Sequence, residues 1–514
     1  MKIEIKQGGL SIPEALALIR GELLLQELSD KQRETIREDG QKITEIYLEK
    51  NAVYDIQGTL FLTENISIYG NNARINCQGI PGVLVAGSHV LLRELTVSGS
   101  QIAVRIDSMG SEINDILFEN CCVLDYAVCG LCAGSSVSSG VCSNVTLHNC
   151  EFRSADRPEN AERHFPTAQD IILCAASAGN DVKDAVLNGV KIAECRLLGA
   201  SVCNIFIVPG LWAKTGNVPT FDNCTISDIL VENCILHGSF DTSLAAQANY
   251  INNNNCRVEN VAVKNNDIEV GITGVSATAG SPMLGSCDGI YFKNFVCTGN
   301  HIKGYPGAGE PRAAICIDGG LINYYSNVQC RNSWVEDVNI CRNDICEIER
   351  GIMIKGAFSM IDAEKDGQLA GNYVKDVAIR ENMLRDVETC FLFYGAWIEG
   401  RRYDWNWGRN HTEQIWLEHP VDNSISTMSV EGNYIRNLCC EKNRCNGFRY
   451  LLKAAGAAGR GHGNMKDNRV QDNIVFRDNI IEGGENHIHV ADCIMEDWVN
   501  DLGGNCVNSN LKNI

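Results

Sequence analysis

Four residues able to move protons close short segments of alternating apolar residues. They are Asp318 in Ile315-Cys316-Ile317-Asp318, Lys355 in Ile352-Met353-Ile354-Lys355, Tyr394 in Phe391-Leu392-Phe393-Tyr394 and Lys453 in Tyr450-Leu451-Leu452-Lys453. A small residue follows each: Gly319, Gly356, Gly395 and Ala454. A carboxyl, two amines and a phenol at equivalent places are the materials of acid–base catalysis. Glycosidic cleavage or transfer needs two carboxyl groups. Asp318 supplies one, and Glu399 or Asp404, with Glu413 behind them, supplies the other. Elimination beside a uronate carboxylate uses the groups differently. Lys355 or Lys453 takes the proton, Tyr394 returns one, and Arg401 and Arg402 grip the carboxylate in bidentate fashion. The plainer alternative is a solvated sheet face with mild cross-strand charge pairing.

The stretch after Tyr394 adds aromatic surface. Trp397, Trp405, Trp407 and Trp416 are four of the seven tryptophans and fall within 20 residues. Such rings offer faces to the C–H faces of sugars, while neighbouring charged and amide groups bond hydroxyls. Packing against the scaffold or a subunit is the competing role. His462, in Gly461-His462-Gly463, is a further binding candidate, against the simpler reading of an exposed His on a flexible turn.

Elements that hold these groups in file come from a repeat. The frame apolar-x-apolar-x-x-(Asn/Cys)-x-apolar centres on Cys121, Cys150, Cys195, Cys234, Asn266, Asn300, Asn343, Asn382, Asn433 and Asn479, at steps of 29 to 51 residues. Period-two alternation specifies strands. Fixed motifs at variable spacing specify stacked coils with loops of unequal length, which bury a core only together. The expected fold is all-β, a right-handed parallel β-helix (solenoid) of about a dozen coils and roughly 55–60 Å long. Inward Asn residues would bond backbone and one another at a bend, and Cys would fill the same slot as a small hydrophobe. Pro13 to Glu27 reads as an amphipathic capping helix. One domain is expected: an N-terminal segment over 1–41, the solenoid over 42–485 and a C-terminal cap over 486–514. Aligning the second strands puts Asp318, Lys355, Tyr394 and Lys453 in one outward column, about 5 Å apart. Long excursions leave from the same corner, and the small residues beside the column would leave room for a ligand.

The stacked units at 335–345 and 373–384 resemble the pectin-lyase-like right-handed β-helix superfamily of carbohydrate-active proteins, over roughly residues 42–490. That resemblance implies a lyase, a glycoside hydrolase, a fructotransferase-like enzyme, an epimerase or a tailspike, and fold alone does not choose. Apart from Gly461-His462-Gly463, polygalacturonase-type signatures are missing.

The formal charge of −20 argues against nucleic acid and anionic membranes as partners. No apolar run approaches the length that spans a bilayer. The first residues carry no secretory signal, and 25 cysteines then suggest a reducing cytoplasm. Cys129, Cys132 and Cys142 have zinc-like spacing without a fourth ligand, and Cys439, Cys440 and Cys445 read as packing. His487 and His489 alternate on one strand, as a metal pair would, but read as exposed or capping residues. No metal and no cofactor is expected, since no phosphate loop or dinucleotide fingerprint occurs. The expected partner is an oligosaccharide substrate, and side-by-side homo-oligomers suit such solenoids. A non-catalytic glycan binder or structural solenoid is the alternative class.

Overall fold

A computed structural model describes residues 1–6, 9–37, 43–155, 168–199, 201–212, 218–282, 285–304, 313–323, 328–360, 367–399 and 428–512. The chain winds into a right-handed parallel β-helix. Each strand pairs in parallel with its equivalent one coil later. Trp334–Cys341, Tyr373–Arg380 and Tyr434–Glu441 form one such series. The one antiparallel pair among the described residues lies at the start, between Lys2–Glu4 and Ile36–Arg37. There the edge is covered, because Lys2–Glu4 also pairs with Thr44–Tyr47.

The capping helix α1 (Ile12–Ile19) is shorter than the sequence suggests. Ser11 and Glu14 form its capping box, and Ile12, Ala15 and Leu16 are buried. Gly21, at φ 73°, turns the chain out of the helix before Leu25–Glu27. Glycine adopts that conformation without the steric penalty a side chain brings.

Corners follow a rule of their own. Asp337, Asp376 and Asn437 take left-handed φ values of 58°, 57° and 53°, which Asn and Asp tolerate best among side-chain-bearing residues. At the next corner Arg342, Glu381 and Lys442 are left-handed too, and each is followed by an inward Asn. Those asparagines form a continuous stack. The Nδ2 groups of Asn266, Asn300, Asn343, Asn382 and Asn443 donate to the next Oδ1 at 2.9 Å, ending on Asn479. Their partners lie 39, 61 and 36 residues along the chain in the last three steps. Cys234, just upstream, donates its backbone N–H to Asn266 Oδ1 at 2.8 Å.

Asn433, which the repeat frame puts in this stack, belongs to another. A second stack at a different corner runs Asn372, Asn433, Asn468 and Asn505 at 2.9–3.0 Å. Met428-Ser429-Val430 before Asn433 repeats the apolar-x-apolar pattern of the first corner, and so the frame merges the two there.

Five strands carry the candidate site: β1 (Ala313–Asn323), β2 (Asp344–Met360), β3 (Met383–Glu399), β4 (Arg444–Lys466) and β5 (Ile480–Asp501). They stack in that order. Ile317, Ile354, Phe393 and Ala454 point into the core with no exposed surface. β5 runs through position 486, where the sequence suggests a cap begins.

Candidate functional site

Asp318, Lys355 and Tyr394 stand side by side on β1, β2 and β3. Lys453 does not join them. Tyr394 pairs with Ala455, whereas Lys453 pairs with Leu392, in a column two residues back that runs Cys316, Met353, Leu392, Lys453 and His489. The glycines explain the register. A Cβ at Gly319, Gly356 or Gly395 would stand 2.4–2.5 Å from the carbonyl oxygen of the next glycine. One at Gly456 would stand 2.3 Å from the backbone nitrogen of Cys506. These four residues let two backbones touch inside the solenoid, so Gly456 aligns with Gly395 and shifts Lys453 by two places. The small residues therefore serve a close internal approach, not the space for a ligand expected beside the column.

Asp318 and Lys355 form a buried ion pair. Lys355 Nζ lies 3.2 Å from Asp318 Oδ1, and the two side chains are 3% and 1% exposed for Asp318 and Lys355. The Cys316 thiol donates to Asp318 Oδ2 at 3.2 Å. Burial raises the carboxyl's pKa above the usual carboxylate value, against the pull of Lys355. Burial also works against the ammonium, but the Asp318 carboxylate and Cys316 outweigh it, and Lys355 lies above an ordinary lysine. Lys355 is thus held protonated, the wrong state for a base. Its Nζ sits 3.7 Å from the centre of the Phe358 ring and 5.3 Å from that of Trp397.

Trp397 belongs to β3 itself and is buried. It stacks on Phe358 at 4.8 Å and meets Tyr394 edge-on at 5.7 Å. Packing is its role here, the competing reading of the sequence. Glu399 ends β3, and its side chain lies outside the described residues, as does that of His462. Gly461-His462-Gly463 is strand within β4, where the sequence suggests a turn. Arg401, Arg402, Asp404, Trp405, Trp407, Glu413 and Trp416 also lie outside the described residues.

A more open group gathers around Lys453. One column places Arg350, Thr389, Tyr450 and His487 on successive strands β2 to β5. Beside it stand Lys453 and His489. Lys453 Nζ lies 3.8 Å from the centre of the Tyr450 ring, and Tyr450 contacts the His487 ring at 5.7 Å. Among the described residues no carboxylate lies within ion-pair distance of Lys453. Partial burial lowers its pKa, and Arg350 and Arg449 push the same way against Glu388 and Glu349. Arg350 pairs with Glu349 at 2.8 Å and lies over Trp397 at 4.8 Å. A half-buried amine with a lowered pKa, a phenol against it and a guanidinium two strands away can abstract a proton beside a bound carboxylate.

Sequence reasoning missed Arg350 and Tyr450 and set the two histidines aside. The glycines would have found them: aligning Gly395 with Gly456 brings Tyr450 opposite Thr389 and Arg350.

Two other clusters lie elsewhere. On upstream coils of the same face, buried Arg105 donates to the Cys132 sulfur at 2.9 Å. A hydrogen bond from Cys174 and the Arg105 charge bring Cys132 down to about 6. Cys129 donates to Leu131 O at 3.0 Å, and the described residues contain no metal-binding cluster. On another sheet Tyr291, Trp334, Tyr373 and Tyr434 stack in a ladder at 4.8–5.8 Å. Their facing surfaces are taken up by one another, unlike the free ring faces that bind sugars.

No protein-family model matches the sequence, and neither does any curated protein. The comparison with solved structures finds distant matches, each at low identity and a low TM-score. One is a surface adhesin of Streptococcus pneumoniae, 10% identical over 86% of this chain and 85% of that one, with a TM-score of 0.31. Another is a mannuronan C-5 epimerase A-module of Azotobacter vinelandii, 12% identical over 89% and 91%, with a TM-score of 0.21. A third is a PL6 family alginate lyase, 8% identical over 99% of both chains, with a TM-score of 0.22.

Proposed function

We propose that the protein is a carbohydrate-active enzyme that cleaves an acidic oligosaccharide by elimination, with Lys453 as the base. The supporting observation is the environment of that amine: half-buried, lowered in pKa, without a carboxylate partner among the described residues, and against Tyr450. In this reading Arg350 turns from Glu349, its partner at 2.8 Å, to the uronate carboxylate and so acidifies the neighbouring C–H. Lys453 takes that proton. The C–O bond to the leaving sugar breaks as a C=C bond forms, and Tyr450 protonates the departing oxygen. Arginine suits the first role because it stays charged and bonds carboxylates in a fork. Twenty-five free thiols, most of them buried, support a reducing compartment as its setting.

Hydrolysis or transfer by paired carboxyls has less support. Asp318, the acid of the Lys355 column, is committed to Lys355 and closed off from solvent. A panel of neutral and acidic oligosaccharides decides between the routes. Elimination gives ultraviolet-absorbing unsaturated products from acidic members alone. New reducing ends without that absorbance mean hydrolysis, and glycans retained unchanged mean a binding protein.

A further inference from the structure

We infer that this site acts at the end of its substrate, releasing short unsaturated units, and does not cut acidic glycans internally. The inference deepens the Lys453 reading and rests on it.

Among the described residues, the Lys453 column is buried on its upstream side and exposed at the next coil downstream. On the upstream side its neighbours Leu392, Met353 and Cys316 are buried, and so are Tyr394, Lys355 and Asp318 in the adjoining column. An apolar wall closes them. Leu321, Phe358 and Trp397 stand in register just past the glycine bend and share one cluster with Met353, Leu392 and Tyr394. The Phe358–Trp397 stack and the edge-on Tyr394–Trp397 contact tie its members together. All these side chains project from strands of the scaffold. Opening the wall means separating that stack and exposing its apolar rings to water, which the hydrophobic effect opposes.

On the other side the face is accessible. His487 and His489 lie one coil beyond Tyr450 and Lys453 and are exposed. Successive coils are about 5 Å apart, close to the length of one sugar ring. A uronide at Lys453 therefore has room for a neighbouring ring over the His487/His489 coil and none over Leu392. An internal bond needs sugar on both sides of the reacting ring, and a terminal bond does not.

The test uses the full chain and hexasaccharides of 1,4-linked galacturonate, glucuronate, mannuronate and guluronate. Product sizes are followed from the earliest time points. Elimination needs a leaving sugar, which must be the one neighbour over the His487/His489 coil, so the expected result is unsaturated monosaccharide from the start, with the saturated pentamer and no trimer. Early trimers, or a spread of all sizes, overturn the inference and leave elimination standing. Saturated products alone, or none from any hexamer, overturn the elimination reading and this one with it. Phe358→Ala with Trp397→Ala then tests the wall. If the folded variant gains trimers, the wall sets the mode of attack, and an unchanged pattern refutes that cause. If the variant does not fold, the wild-type time course decides alone.

Discussion

Replacing Lys355 with Met should damage the scaffold, and the damage should be repairable from the other side of the pair. The substitution keeps most of the side-chain volume and removes the ammonium 3.2 Å from Asp318. With the carboxylate 3% exposed, water cannot take the ammonium's place. Breaking a buried pair from one side costs about 3–5 kcal/mol, whereas replacing both partners with apolar residues is often neutral or stabilising. Lys355→Met should therefore lower the local opening free energy by that amount, and Asp318→Leu with Lys355→Met should restore most of it. At about 1.4 kcal/mol per tenfold, amide exchange in β1 and β2 should speed up about 10²- to 10⁴-fold in the single variant. The pH dependence has a definite sign. Burial already raises Asp318, and loss of Lys355 removes the group that opposes it. The native state of the variant then binds a proton more readily than the unfolded chain. Its deficit should be full at neutral pH and shrink as pH falls through the carboxylate range. Hydrogen exchange read by mass spectrometry at two pH values checks both points. Unchanged exchange in Lys355→Met, or a double variant as weak as the single one, would refute the reasoning.

Other expectations follow from the coil geometry. Gly356→Ala places a Cβ 2.4 Å from Gly395 O and 2.7 Å from Tyr434 N. Overpacking against backbone should cost about 1–3 kcal/mol, measured as a lower urea midpoint with an unchanged slope. Asn382→Ala removes an amide that bonds Asn343, Ile340 O and Asn443 inside the core. Buried groups left unpaired cost about 1–3 kcal/mol each, so urea unfolding should show a loss of at least about 2 kcal/mol. On the carbohydrate panel, only acidic oligosaccharides should yield ultraviolet-absorbing products.

Much of the scaffold is legible in the sequence because stacked coils repeat one apolar frame. Val377-Ala378-Ile379 and Val338-Asn339-Ile340 carry the strand signal and the bend that follows it, and the observed strands pair there in register. The site was harder to read, because register depends on which landmark is aligned. Apolar alternation alone let Tyr450-Leu451-Leu452-Lys453 slide onto Phe391-Leu392-Phe393-Tyr394. The internal backbone contact at Gly395 and Gly456 fixes the pairing two residues away. Nothing in the types of Asp318 and Lys355 announces that they neutralise each other under Phe358 and Trp397. That fact lies in the packing of residues brought together from separate coils. Asn433 illustrates the same limit, since its own segment matches the motif of the other corner and the hydrogen bonds tell the two apart.

The most direct measurement is the elimination rate of Lys453→Arg beside the wild type, on whichever acidic oligosaccharide the wild type converts. Arginine keeps the charge and the stem but does not give up its proton at working pH. The account expects a rate at least about 100-fold lower, with circular dichroism and melting unchanged. A variant that turns over as fast as the wild type would contradict the assignment of Lys453 as the base.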